Sequence, residues 1–233
     1  MGNIILNPDE SFNFIKSAFE KVALPEKAPA MEAYMKNKFF FYGVPAPLRK
    51  DILGQFKAQY VLENNIQFWK LIELLWQDEH RECQYFASDL LTGLVRKLQM
   101  DDVAKLEKLI LEKSWWDTVD ALAASIIGPA LLKHPEYLKQ KSWFWSGSDN
   151  IWLIRTSIIV QLKYGLNTNW ELMQELILKH ADAKDFFIRK AQGWALRQYA
   201  RFRPLEVHDF VKQHSELSML TKKEALRRII GSK

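Results

Sequence analysis

Very few residues in this chain can turn it. Nine glycines and eight prolines are spread over 233 residues, roughly 7% against an average near ~12%. A chain so poor in turn-formers cannot punctuate many short strands, which removes β-sandwiches and β-barrels. Helical period fills the space instead. Behind Asp9 and Ser11, the apolar positions Phe12, Ile15, Ala18, Phe19 and Val22 keep the three-four spacing of one helix face. Similar spacing predicts helices over 31–38, 47–60, 66–76, 80–97, 103–111, 115–133, 151–164, 170–180, 186–200, 204–213 and 222–230. Gly43 stops the second of these, Pro47 starts the next, and Pro129 should kink or end the helix that contains it. The connections are short and polar, so 1–233 reads as a single domain.

One internal match sets the architecture. WLIR at 152–155 followed by Leu162 corresponds to FFIR at 186–189 followed by Leu196, with Arg155 and Arg189 standing 34 positions apart. Repeats of about this length, each a helical hairpin, mark an α-solenoid of the HEAT or armadillo kind. A hairpin cannot bury its apolar face alone and must stack on the next. The expected fold is therefore all-α, a solenoid of HEAT-like repeats with a concave basic groove.

Composition narrows the chemistry. Hydrophobic residues make up 48% and charged residues 26%, an ordinary globular balance. Lys and Arg total 33 against 28 Asp and Glu, so the net charge of +5 is a modest bias that matters only if gathered on one face. Cys83 stands alone, which excludes a disulfide framework and a thiolate zinc site. No apolar run approaches the roughly 18 residues of a membrane span. The start MGNIILNPDESF lacks a signal-peptide pattern, and Leu6 stands where myristoylation wants Ser or Thr. The expectation is a cytoplasmic protein with no membrane role. Phosphate loops, dinucleotide fingerprints, H-E-x-x-H and G-x-S-x-G are all absent. His80, His134, His180, His208 and His214 are scattered, so they read as surface or capping residues, and no metal or cofactor is expected.

Three segments carry unusual side chains. In SWWDTVD (114–120), Ser114 and Asp117 have capping-box spacing, which predicts a helix start at Trp115. Trp116 and Asp120 are four apart and share a helix face, while Trp115 points elsewhere. An indole beside a carboxylate suits a cationic group; the plainer reading is a buried Trp with a solvent-facing Asp. In SDNIWLIR (148–155), cap residues precede a helix whose second turn carries Arg155, either a tie between repeats through carboxylates or a phosphate ligand. In FFIRKAQGWALRQYA (186–200), Gly193 admits a close neighbour beside Trp194, which is either core or functional.

These three segments, with AYMKNKFFFYGV (33–44), resemble the AlkD-like DNA alkylation repair glycosylases, in the same order over nearly the whole chain. The resemblance implies a HEAT-like solenoid, monomeric, that cradles double-stranded DNA containing alkylated purines. It also implies hydrolysis of the N-glycosidic bond of cationic N7-alkylguanine and N3-alkyladenine in base excision repair. Carried over by motif, the catalytic positions are Asp120, Trp116 and Trp194, with Arg155 on DNA. Arg49 and Lys50 correspond more loosely to the family's backbone-binding helix start, because Pro45 and Ala46 stand where relatives carry polar residues. Arg189, Lys190 and Arg197 complete the expected DNA contacts; Lys222, Lys223, Arg227 and Arg228 read as a solvated terminal helix.

The implied chemistry is consistent with what the sequence lacks. A cationic purine leaves without protonation, so no general acid is needed. The demand is to stabilise an oxocarbenium-like sugar. Asp120 would supply negative charge and orient water, and two indoles would offer π faces to the sugar. The family acts while the base remains stacked, an exception among glycosylases. Two other uses of such a fold stay open: a catalytically silent DNA binder and a protein–protein scaffold.

Overall fold

The computed structural model describes residues 4–61, 65–227 and 229. Among them, helices account for nearly every element, and the all-α solenoid-like architecture is present. The chain divides into two compact units, Met1–Gly93 and Leu94–Lys233.

Among its described residues the first unit holds five helices. α1 (Pro8–Lys21) is capped by Asn7, whose Oδ1 accepts from the Asp9 and Glu10 amides. α2 (Ala28–Tyr34) and α3 (Ala46–Gln59) follow, then α4 (Asn65–Gln77) and α5 (Arg81–Gly93). Two short strands, β1 (Ile4–Ile5) and β2 (Tyr60–Val61), pair in parallel with Ile4 opposite Tyr60; at two residues each they are too short to show a period. α1 packs on α3 and α4, and α5 packs on α3 and α4. The core between them is aromatic: Phe86 meets Phe19 and Phe56 edge-on at 5.9 and 5.8 Å.

The second unit carries nine helices among its described residues. They are α6 (Asp102–Leu111), α7 (Trp116–Ala121), α8 (Gly128–Leu131), α9 (Pro135–Ser146), α10 (Ile151–Ile159), α11 (Trp170–Lys179), α12 (Phe186–Tyr199), α13 (Pro204–Gln213) and α14 (Met219–Leu226). The expected helix over 115–133 runs from Trp116 to Leu131 with a change of winding in its middle. A π-wound stretch, Leu122–Ile127, separates α7 from α8, whose second residue is Pro129. α9 was not predicted, and the expected last helix extends to Ile230 which, like Arg228 and Met1, lies outside the described residues.

Stacking at one repeat length is visible in the polar contacts. Lys141 Nζ reaches Glu107 at 2.8 Å, Ser146 pairs with His180 at 2.8 Å, and Lys190 Nζ reaches Glu224 at 2.8 Å, each across 34 residues. α10 packs on α9 and α12, and α12 packs on α14. The alternate helices α10, α12 and α14 thus stack on one another, as the repeats of a solenoid do.

Candidate active site

Asp120 sits in the last turn of α7. The capping box expected from Ser114 and Asp117 does not form: Ser114 Oγ donates to the Ile110 carbonyl at 2.6 Å, and Trp115, in extended backbone, precedes a helix that starts at Trp116. The Ser114 hydroxyl is held on the preceding helix, and the N-cap position falls on Trp115, whose side chain makes no cap bond. Asp117 remains in the first turn, where its charge suits the helix dipole. Trp115 does point away from the Trp116–Asp120 face. It enters an aromatic cluster with Trp152 and Phe187, ring centroids 5.5 and 5.0 Å away.

That cluster backs Arg155. α10 is capped by Asn150, which accepts from the Trp152 and Leu153 amides, and the second turn of the helix presents Arg155 to its neighbours. Arg155 Nε donates to Asp120 Oδ1 at 2.6 Å and Nη2 to Oδ2 at 2.8 Å. Its Nη1 donates to the Phe187 carbonyl at 2.6 Å. With Arg155 only 5% exposed, the fork joins α7, α10 and α12. Of the two roles expected for Arg155, the tie between repeats is the one its hydrogen bonds describe. Burial pushes the Asp120 carboxyl above the usual carboxylate range; the Arg155 hydrogen bonds and charge oppose this, and nearby Asp117 adds to it.

Trp194 comes from α12, whose N-terminus is capped by Asp185 accepting from the Phe187 and Ile188 amides. Gly193 beside it is where α14 approaches: a β-carbon there would stand 2.5 Å from Glu224 Cβ and 2.9 Å from the Thr221 carbonyl oxygen. The close neighbour expected at Gly193 is therefore α14.

Asp120 and Trp194 open on one cavity of about 530 Å³. Its other walls are Ala124 and Ser125 from the π-wound stretch, Lys163 and Gly165 after α10, and Gln198, Arg201 and Phe202 at the end of α12. Trp116, half-buried one helical turn before Asp120, is not among the lining residues. The structure thus brings Asp120, Arg155 and Trp194 together, with a single indole in the cavity wall.

The remaining expected DNA contacts are mostly engaged within the protein. Arg49 pairs with Asp89 at 3.0 Å and lies over the Tyr85 ring, while Lys50 is exposed. Arg189 Nε donates to the Ala183 carbonyl at 2.6 Å. Lys190 and Arg197 both pair with Glu224, fastening α12 to α14. Sequence reasoning missed Lys163, Arg201 and Ser125, which line the cavity. The only signal for Lys163 was the repeat itself, because 34 residues on it corresponds to Arg197. Among the described residues no three His, Cys, Asp or Glu side chains gather to hold a metal ion, and no helix is long and apolar enough to cross a membrane.

A cavity wall combining a carboxylate and an indole can favour a developing cation. Comparison with known proteins gives this geometry its setting. No curated protein matches the chain. A solved structure described as a predicted DNA alkylation repair enzyme from Enterococcus faecalis superposes with a TM-score of 0.81 at 32% identity, covering 88% of this chain and 95% of that one. The family model described as DNA alkylation repair enzyme matches residues 15–229. The chain belongs to the DNA alkylation repair enzyme family.

Proposed function

We propose that this enzyme is a DNA glycosylase that hydrolyses the N-glycosidic bond of cationic alkylpurines, N7-alkylguanine and N3-alkyladenine, in duplex DNA, acting as a monomer. The observation that carries the reading is the placing of Asp120 and Trp194 in one cavity wall, with Arg155 fixing the carboxylate. An alkylated purine already bears a positive charge and departs without a proton donor. The barrier then lies in the sugar, which becomes oxocarbenium-like as the bond breaks. Asp120 supplies charge stabilisation and orients the water that attacks the anomeric carbon. Trp194 supplies the π face, and Trp116, on the same face of α7 one turn before Asp120, is the second indole the family motif assigns to the sugar.

The size of the electrostatic effect is adequate. A carboxylate about 4 Å from a unit positive charge gains ~4 kcal/mol at an effective dielectric of 20, which is worth about 10³ in rate. The decisive experiment incubates a duplex carrying one N7-methylguanine with the enzyme and scores abasic sites. Wild type is expected to excise, and Asp120→Asn to bind the duplex normally while excising two to three decades more slowly (about 10²–10³). Excision by the variant at the wild-type rate removes Asp120 from the mechanism.

A further inference from the structure

The geometry points to Lys163 and Arg201 as a phosphodiester-binding rim beside Asp120, an assignment that rests on the reading that DNA enters this cavity. Both line it together with Asp120 and Trp194, and both side chains belong to exposed residues. They differ from most of the cations the motifs single out. Arg155, Lys190, Arg197 and Arg49 are each paired with a carboxylate. Among the described residues neither Lys163 nor Arg201 has a carboxylate partner. Lys163 Nζ donates to Ser125 Oγ at 2.8 Å, and Arg201 Nη1 to Gln198 Oε1 at 3.4 Å. A hydroxyl and a long contact to an amide are neutral partners that a phosphate oxygen can replace with a stronger, charge-assisted bond.

The rim is built to hold its place. Tyr164, next to Lys163, is 5% exposed and donates its hydroxyl to the Gly128 carbonyl at 2.8 Å. Gly165 then turns the chain with φ +58°, and a β-carbon there would stand 3.3 Å from the Phe202 ring. Phe202 packed on Gly165 therefore joins the loop carrying Lys163 to the helix end carrying Arg201. The arrangement also answers an electrostatic need. Asp120 and Arg155 together carry no net charge, so two further cations on the same wall leave the cavity mouth positive toward a polyanion. In the internal repeat Lys163 and Arg197 occupy equivalent positions, but Arg197 is taken up by Glu224, whereas Lys163 has no carboxylate partner among the described residues.

The test is equilibrium binding of undamaged duplex DNA over a range of salt concentrations for Lys163→Gln, Arg201→Gln and the double variant, with Lys212→Gln on α13 as the charge control. Each single variant is expected to lower the slope of log affinity against log salt by about one, and the double variant by about two, because each cation releases the counterions of one phosphate. At low salt the double variant should bind at least about tenfold more weakly, with an unaltered thermal melt and circular dichroism spectrum. A double variant that keeps the slope and affinity of the control overturns the rim. The probe carries no lesion, so the result is independent of excision. A slope that falls by two in a protein that excises nothing overturns the glycosidic reading and upholds the rim; an unchanged slope in one that excises N7-methylguanine does the reverse.

Discussion

Asp120 and Arg155 meet as two planar forks, each carboxylate oxygen accepting one guanidinium N–H at 2.6 and 2.8 Å. The same guanidinium donates a third bond to the Phe187 carbonyl. One side chain therefore sets both the orientation of the carboxylate and the stacking of three helices. Arg155→Met leaves a largely buried carboxylate without its counter-charge and should cost about 3–5 kcal/mol of stability. Asp120→Asn combined with Arg155→Met should cost less than the two single losses added together, because no orphaned charge remains. Urea unfolding of the four proteins measures this coupling. Arg155→Lys keeps the charge and loses the fork, so it should fold and bind DNA while excising about tenfold more slowly, since a misplaced carboxylate stabilises the sugar cation less.

The same pair sets a pH dependence. Burial raises the proton affinity of Asp120 against the pull of Arg155, and the proposed chemistry needs the ionised form. As pH falls through a raised carboxyl pKa, the protonated fraction grows and excision declines. The acid limb of the single-turnover rate should therefore begin above the ordinary aspartate value of about 3.9. In Asp120→Asn that limb should vanish from the residual rate. Single-turnover excision followed from about pH 4 to 8 distinguishes the two profiles.

Much of this was legible in the sequence because helices announce themselves by period, and the i, i+4 rule put Trp116 and Asp120 on one face of α7. What was not legible had local causes. α9 hid because its inward positions Leu138, Ser142 and Trp145 include a serine, while Trp143 and Phe144 face outward at 37% and 64% exposure. Apolar and polar residues are reversed there relative to burial, so the period is blurred. Ser114 looked like a cap, but a hydroxyl can serve either the helix ahead or the carbonyl four residues behind, and spacing does not decide between them. The partners of the cations were the hardest. Lys190 and Arg197 share Glu224, which stands 34 and 27 residues downstream, beyond any local rule.

Gly193 provides a test of the stacking itself. Gly193→Ala places a methyl group 2.5 Å from Glu224 Cβ and 2.9 Å from a backbone carbonyl, so α14 must move and the contacts of Glu224 with Lys190 and Arg197 must loosen. The expected cost is about 1–3 kcal/mol, a fall of roughly 2–12 °C in melting temperature for a chain of this size. Gly54→Ala is the contrast. It lies in α3, and a β-carbon there meets nothing within 4 Å. That variant should be neutral or more stable by up to about 1 kcal/mol, because alanine loses less backbone entropy in a helix. Thermal melts of the two variants should move in different directions or by clearly different amounts.

In the first unit the buried carboxylate of Glu82 performs a task that only an acceptor pair can perform. Its Oε1 accepts from the Val44 amide at 3.0 Å and its Oε2 from the Tyr42 amide at 3.2 Å, bracing the turn that precedes α3. Burial raises its pKa, and the backbone N–H groups around it pull the other way. Gln at this position keeps the size and offers one acceptor, so one of the two amides would face an NH₂ group. Glu82→Gln should therefore cost about 1–3 kcal/mol, the penalty of a buried donor left without an acceptor. Were the carboxylate a mere space-filler, the neutral amide would instead relieve the desolvation of a buried charge and stabilise the protein. Denaturant unfolding of Glu82→Gln thus reads the sign directly: a loss assigns Glu82 to holding the turn, and a gain removes it from that role.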